Sequence, residues 1–163
     1  VQSLPLVDPD SFKGAMRAWA SGVTILTSVV DEQIHGMTVS AFSSVSAVPP
    51  LVLVCANQAS TTHEVIESAG VFAVNLLAHH QDALSTRFAM GDAAHRFEDV
   101  PWTPGERTGA PLLDGSLCSL ECRVRNRHPE GTHTIYIGEV LSVRQGDGEP
   151  LVYFDGAYRK ISG

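Results

Sequence analysis

The chain has 163 residues, of which 44% are apolar and 18% charged, and its formal net charge is −7. That length suits one domain with a sizeable core, so a single domain over 1–163 is expected. The acidic balance argues against a nucleic-acid surface, which needs clustered Lys and Arg, and the longest apolar runs, such as Leu51 to Ala56, are far short of the roughly 20 residues of a membrane span.

Asp8 followed by Pro9 reads as an N-cap with proline at the first helical position. Phe12, Met16 and Trp19 recur at helical spacing, which predicts an amphipathic helix stopped by Gly22. Val23 to Val30, rich in β-branched residues, reads as a strand turned at Asp31-Glu-Gln33. Gly36 to Ser46 alternates with period two and is expected to run as one strand. Thr38, Ser40, Phe42, Ser44 and Ser46 fall on one face, and Met37, Val39, Ala41 and Val45 on the other. Pro49-Pro50 breaks the chain before a buried strand, Leu51 to Ala56.

A short helix over 62–69, a strand over 71–77 and a helix over 80–90 come next. The stretch 91–115 is expected to hold little regular structure. Strands over 117–127, 132–144 and 151–154 follow, with Gly146-Asp-Gly148 as a hairpin turn and Asp155-Gly156 turning into a last short strand. Arg123, Arg125 and Arg127 alternate along one strand as a solvated face or an oligomer rim. Cys118 and Cys122 would lie about 13 Å apart on one strand face, too far for a disulfide or a shared metal. The odd cysteine count and the absence of a signal-peptide pattern read as cytoplasmic, with nothing membrane-bound.

Six or more strands with few helices favour a closed antiparallel barrel over a parallel α/β sheet. The dinucleotide fingerprint is missing, since Gly146-Asp-Gly148 lacks the third glycine and runs into a strand.

Residues Gln33 to His63 run for 31 positions without an Asp, Glu, Lys or Arg, yet carry eight hydroxyls. An uncharged stretch that keeps hydrogen-bonding capacity suits a neutral, flat, polar-edged ligand. Its hydroxyl-bearing strand face is either a water-exposed surface or a platform for a flavin ring, and exposed strands usually carry guarding charges. Asn57-Gln-Ala-Ser-Thr-Thr62 can hold a phosphate on helix N-terminal amides. It can equally be a capping box of Thr61 with Glu64. His133, at the start of a strand, is either structural or a contact for a second ligand. No histidine spacing indicates a metal, and no G-x-S-x-G motif marks a nucleophile.

Together these segments resemble the flavin reductase-like family, the small reductase components of two-component flavin monooxygenases. The resemblance is carried by Ala18-Trp-Ala-Ser-Gly-Val-Thr-Ile-Leu-Thr27, Gly36-Met-Thr-Val-Ser-Ala-Phe-Ser-Ser-Val-Ser46, Pro49-Pro-Leu-Val-Leu-Val-Cys55, Phe72-Ala-Val-Asn-Leu-Leu77, His133-Thr-Ile-Tyr-Ile-Gly-Glu-Val140 and Leu151-Val-Tyr-Phe-Asp-Gly-Ala-Tyr158. It implies a mainly β fold, a Greek-key split β-barrel of the FMN-binding type with a few peripheral α-helices. It further implies a homodimer that reduces FMN or FAD with NADH or NADPH and supplies reduced flavin to a partner monooxygenase. Carried onto this chain, Thr38, Val39, Ser40 and Ala41 would line the isoalloxazine, with Ser44, Val45 and Ser46 nearby. Cys55, Ala56 and Asn57 would contact the ribityl chain, Ser60, Thr61 and Thr62 the phosphate, and Phe88 would close the pocket. His133 would meet the nicotinamide, aided by the tail around Tyr158. The family commonly has Gly-Asp-His where this chain has Gly131-Thr132-His133, which leaves open a flavin-binding module or electron relay without reductase activity. A barrel for a non-flavin ligand is the third reading.

Overall fold

A computed structural model describes residues 3–162. Its centre is a seven-stranded antiparallel sheet built from β2 (Thr24–Val30), β3 (Gln33–Val39), β4 (Phe42–Ala47), β5 (Pro50–Asn57), β6 (Val71–Leu76), β9 (Cys118–Glu130) and β10 (His133–Gln145). The strand order is β3-β2-β6-β9-β10-β5-β4. The two end strands, β3 and β4, are therefore consecutive in the chain and separated by Ser40 and Ala41 alone.

The stretch 36–46 is thus two strands, not the single one expected from its alternation. Val39 pairs with Thr24 on β2, whereas Phe42 pairs with Val54 on β5, at the opposite end of the sheet. Phe42 N–H donates to the Ser40 carbonyl (3.0 Å) and Cys55 N–H to the Ala41 carbonyl (3.1 Å), which fixes the corner. A period-two pattern reports which face a residue takes, and it does not report a change of partner strand.

The hairpin of β2 and β3 turns at Asp31 and Glu32, both at positive φ (49° and 63°), as a two-residue turn requires. Helix α2 (Thr61–Ala69) crosses between β5 and β6 and buries Val65 and Ile66 against the sheet. The main core gathers Leu26, Val54, Ile66, Phe72, Val74 and Tyr136. A second cluster lies under α3 (Asp82–Met90), where Ile25, Leu77, Phe88, Leu113 and Leu151 meet.

Helix α1 is shorter than its spacing suggested. It spans Pro9–Met16, with Asp8 capping Ser11 N–H (3.0 Å), and none of its residues is buried. Ser21 and Gly22 form β1, which pairs with β11 (Val152–Phe154) beside β12 (Ala157–Arg159) in a small separate sheet. The sequence 146–148 is accordingly a connection and not a hairpin turn. Strand β10 is already paired on both sides, by β9 and β5, and leaves no edge for β11.

The connection 91–115 holds more structure than expected: a hairpin of β7 (Trp102–Pro104) and β8 (Pro111–Leu113). Asn75, fully buried, organises it. Its amide donates to the carbonyls of Ile25 (3.2 Å) and Pro111 (3.4 Å), and its oxygen accepts from Leu113 N–H (2.9 Å) and Ser119 Oγ (2.7 Å). The arginines of β9 are paired, Arg123 and Arg125 with Glu139 and Arg127 with Glu67. All three cysteines are free thiols. Among the described residues no helix is long and apolar enough to cross a membrane.

Candidate active site

Two cavities gather several of the candidate residues. The first, of about 290 Å³, is lined by Met37, Thr38, Asn57, Ser60, Phe88 and Arg96 among others. The second is a groove of about 910 Å³ between the corner and α1, bounded by Ser40, Ala41, Ser43, His133, Trp19 and Tyr153 among others. Both volumes lie in the range of small-molecule and cofactor sites.

The first cavity is built around the N-terminus of α2. Ser60 is the N-cap; its hydroxyl accepts from His63 N–H (3.1 Å) and donates to the Asn57 carbonyl (2.8 Å). The capping register is thus one residue earlier than the box of Thr61 with Glu64. Thr61 and Thr62 N–H, at the first helical positions, have no acceptor among the described residues. Thr61 itself is exposed, whereas Thr62 is fully buried and its hydroxyl is unpartnered.

Arg96 enters this corner from the long connection. Its guanidinium donates to the carbonyls of Gly36 (2.8 Å) and Gly91 (3.2 Å), which leaves Nη2 without a partner among the described residues. Burial pulls its pKa down from the ordinary arginine value, and Asp92 partly opposes that shift. Nothing in the sequence around Arg96 distinguishes it, and the charge-free run at 33–63 acquires its cation only through the fold.

Phe88 is fully buried beneath Gly36, where an added Cβ would come 2.8 Å from the Phe88 ring. Phe97 packs edge-on against it at 4.9 Å. Phe88 thus lines the first cavity from its buried side. Thr38 is held by a hydrogen bond from its hydroxyl to the Ser85 carbonyl (2.6 Å).

At the corner itself, Ser40 and Ala41 N–H have no acceptor among the described residues. Across the groove stands His133, exposed at the start of β10 and paired in register with Asn57. Its Nδ1 lies 2.9 Å from the Thr132 hydroxyl, and Gln58 Nε2 donates to its carbonyl (2.8 Å). Thr132 thus occupies the place where a carboxylate was absent from the motif.

The structure gathers Thr38, Asn57, Ser60 and Phe88 at one cavity, and Ser40, Ala41 and His133 at the other. Cys55 is half-buried behind Ala41, while Val39 and Ala56 are buried in the core. Ser44, Val45 and Ser46 sit on β4, outside both cavities. Tyr158 turns away from the groove: its hydroxyl bonds Ser85 Oγ (2.7 Å) and its ring meets Tyr153 edge-on. Of the tail, Tyr153 and Gly156 line the groove.

A hydroxyl-bearing corner, whose Ser40 and Ala41 amides have no acceptor among the described residues, thus faces an open groove that also holds an exposed histidine. Residues 16–162 match the family described as "Flavin reductase like domain", and the chain belongs to it. It is 40% identical over 152 residues to the FMN reductase (NADH) SmoA of Agrobacterium fabrum, covering 93% of this chain and 86% of that one. It is 38% identical to the reductase component of the 4-nitrophenol 4-monooxygenase/4-nitrocatechol 2-monooxygenase of Rhodococcus opacus, over 93% of this chain and 80% of that one. The structure superposes on that of the NADH:FAD oxidoreductase SgcE6 of Streptomyces globisporus C-1027, in complex with NAD and FAD fragments. The TM-score is 0.89 at 32% identity, with 98% of each chain covered.

Proposed function

We propose that the chain is an NAD(P)H:flavin oxidoreductase that reduces FMN or FAD and passes the reduced flavin to a monooxygenase component. The observation that carries this reading is the pair of amides at Ser40 and Ala41, without an acceptor among the described residues, in the wall of the groove that also holds His133. Free N–H donors at a neutral corner suit the carbonyl edge of an isoalloxazine, and they stabilise charge that develops there on reduction. The anionic end of the flavin fits the first cavity, against Ser60, the Thr61 and Thr62 amides and Arg96.

Bound flavin supplies the hydride acceptor, and the chain supplies orientation. His133, steadied by Thr132 and Gln58, holds the nicotinamide from the open side of the groove. One cation at the phosphate end, itself sharing its donors with two carbonyls, suits a flavin that exchanges between turnovers. The Rhodococcus opacus relative, named as a reductase component, supports a monooxygenase partner for this chain.

We read the two-ended sheet, with β3 and β4 brought together at the corner, as a split β-barrel within a single domain. The edge of β4, without a partner among the described residues, uncharged, and carrying the exposed Val45 with Val48 just beyond its end, supports a homodimer. Three free thiols suit a reducing, cytoplasmic setting. The decisive experiment follows NADH and NADPH oxidation at 340 nm with free FMN, then FAD, in excess. Flavin-dependent oxidation is expected; protein that binds flavin but leaves both nicotinamides untouched would mark a flavin module instead.

A further inference from the structure

We propose that Lys13, on α1, and Arg17, the residue that caps the C-terminus of that helix, hold the pyrophosphate of the nicotinamide dinucleotide, an inference that rests on the donor groove assigned above. The chain carries only 11 Lys and Arg against 18 Asp and Glu. Two of those cations nevertheless line the 910 Å³ groove, and none of the residues lining it is a carboxylate. Spaced i and i+4, they project from one face of the helix.

Arg17 is placed, not loose. Its Nε donates to Asp155 Oδ1 (3.0 Å), its Nη2 to the Asp155 carbonyl (3.0 Å), and Asp155 N–H donates back to the Arg17 carbonyl (3.1 Å). The guanidinium lies over Gly156, at φ +76°, where an added Cβ would come 3.0 Å from Nη2. Among the described residues, Arg17 Nη1 and Lys13 Nζ have no hydrogen-bond partner. The clamp therefore fixes the arginine while leaving one edge of its fork open, and a bidentate fork suits a phosphate better than a point charge does.

The rest of the groove matches the rest of such a ligand. His133, Ser40 and Ser43 form the wall at the corner, where the nicotinamide belongs. Trp19, 74% exposed, and Phe12 offer ring faces beside the cations for a second, adenine-like ring. Helix α1 buries none of its own residues, so its attachment through Arg17 is explained by what it presents to the groove and not by the core.

The test uses ADP-ribose, which has the pyrophosphate but no nicotinamide, titrated calorimetrically into the wild type, Lys13→Gln and Arg17→Gln at low and high salt. Each variant is expected to weaken ADP-ribose by about three- to tenfold, with a shallower salt dependence, as for a partly exposed charge pair. In turnover, the ratio of kcat/KM for NADH to that for a phosphate-free N-benzyl dihydronicotinamide should fall by a similar factor. Unchanged ADP-ribose affinity in Lys13→Gln, or a change in oligomeric state as its only effect, overturns the proposal. So does equal loss with the phosphate-free donor. Lys13→Gln leaves the Asp155 clamp intact and stays decisive if Arg17→Gln fails to fold. If the wild type oxidises neither donor, the reductase reading falls and takes this proposal with it; if only the variants match the wild type, the reductase reading stands alone.

Discussion

His133 owes its position to neighbours and not to burial. Its backbone is pinned by Gln58 and its ring by the Thr132 hydroxyl, so the imidazole presents a defined face to the groove although it is exposed. Misplacing a reacting ring by an ångström can cost about a hundredfold. His133→Ala should therefore lower kcat/KM for NADH by roughly tenfold or more while changing flavin affinity less than about twofold. Steady-state kinetics and a fluorescence titration with FMN measure the two separately, and equal losses would refute the nicotinamide role. At the other end of the site, Arg96→Ala removes a charge-assisted contact worth roughly 1.5–3 kcal/mol. FMN affinity should fall about tenfold or more, whereas riboflavin, which lacks the phosphate, should bind nearly as before. The Ser60→Ala, Thr61→Ala double variant should weaken FMN in the same selective way, by a smaller factor. If riboflavin suffers as much as FMN, the corner is not a phosphate site.

Elements that rest on local pattern were readable in the chain; those that rest on one buried side chain were not. The β-branched run at Val23 to Val30, the turn at Asp31 and Glu32 and the helix after Ser60 follow from propensity, capping and turn chemistry. The β7–β8 hairpin does not, because its reason is Asn75, more than 25 residues upstream and hidden in an apolar strand. Asn75→Ala would leave Leu113 N–H and Ser119 Oγ buried without an acceptor. The expected cost is about 2–4 kcal/mol, measured by urea unfolding. Arg96 escaped for the same reason, since only the fold brings it to Ser60.

The neighbouring loop depends on Glu121, 2% exposed, whose carboxylate accepts from Arg107 and Thr108 N–H (2.9 and 2.8 Å) and from the hydroxyls of Thr108 and Ser142. Burial alone would raise its pKa, but these hydrogen bonds together hold it below the ordinary value of 4.5. A depressed folded-state pKa means the stabilisation is present above the unfolded value and is lost as pH falls through the folded one. Wild-type Tm should therefore drop on acidification below about pH 4.5. Glu121→Gln should start roughly 3–10 °C lower and show a flatter acid limb. Identical acid limbs would show that other groups dominate.

For the whole molecule, the open question is the edge of the sheet. Among the described residues strand β4 has a partner only in β5, and a register shift between Ser44 and Ser46 pushes Val45 out of the ladder. Val45 is 47% and Val48 92% exposed, and no charge lies anywhere between Gln33 and His63 to guard this edge. An uncharged edge left in water invites pairing, against which charged side chains are a usual guard. A second copy seated on β4 would remove the liability. It would also explain why Ser44, Val45 and Ser46 lie outside both cavities of a single chain, since they would then belong to the interface. Sedimentation velocity at micromolar concentration should show a dimer, and Val45→Lys with Val48→Lys should shift it toward monomer. Both positions are surface sites away from the core, so thermal stability of the isolated subunit should change by no more than about 1 kcal/mol. A wild type that sediments as a monomer would leave the edge unexplained and would overturn the homodimer.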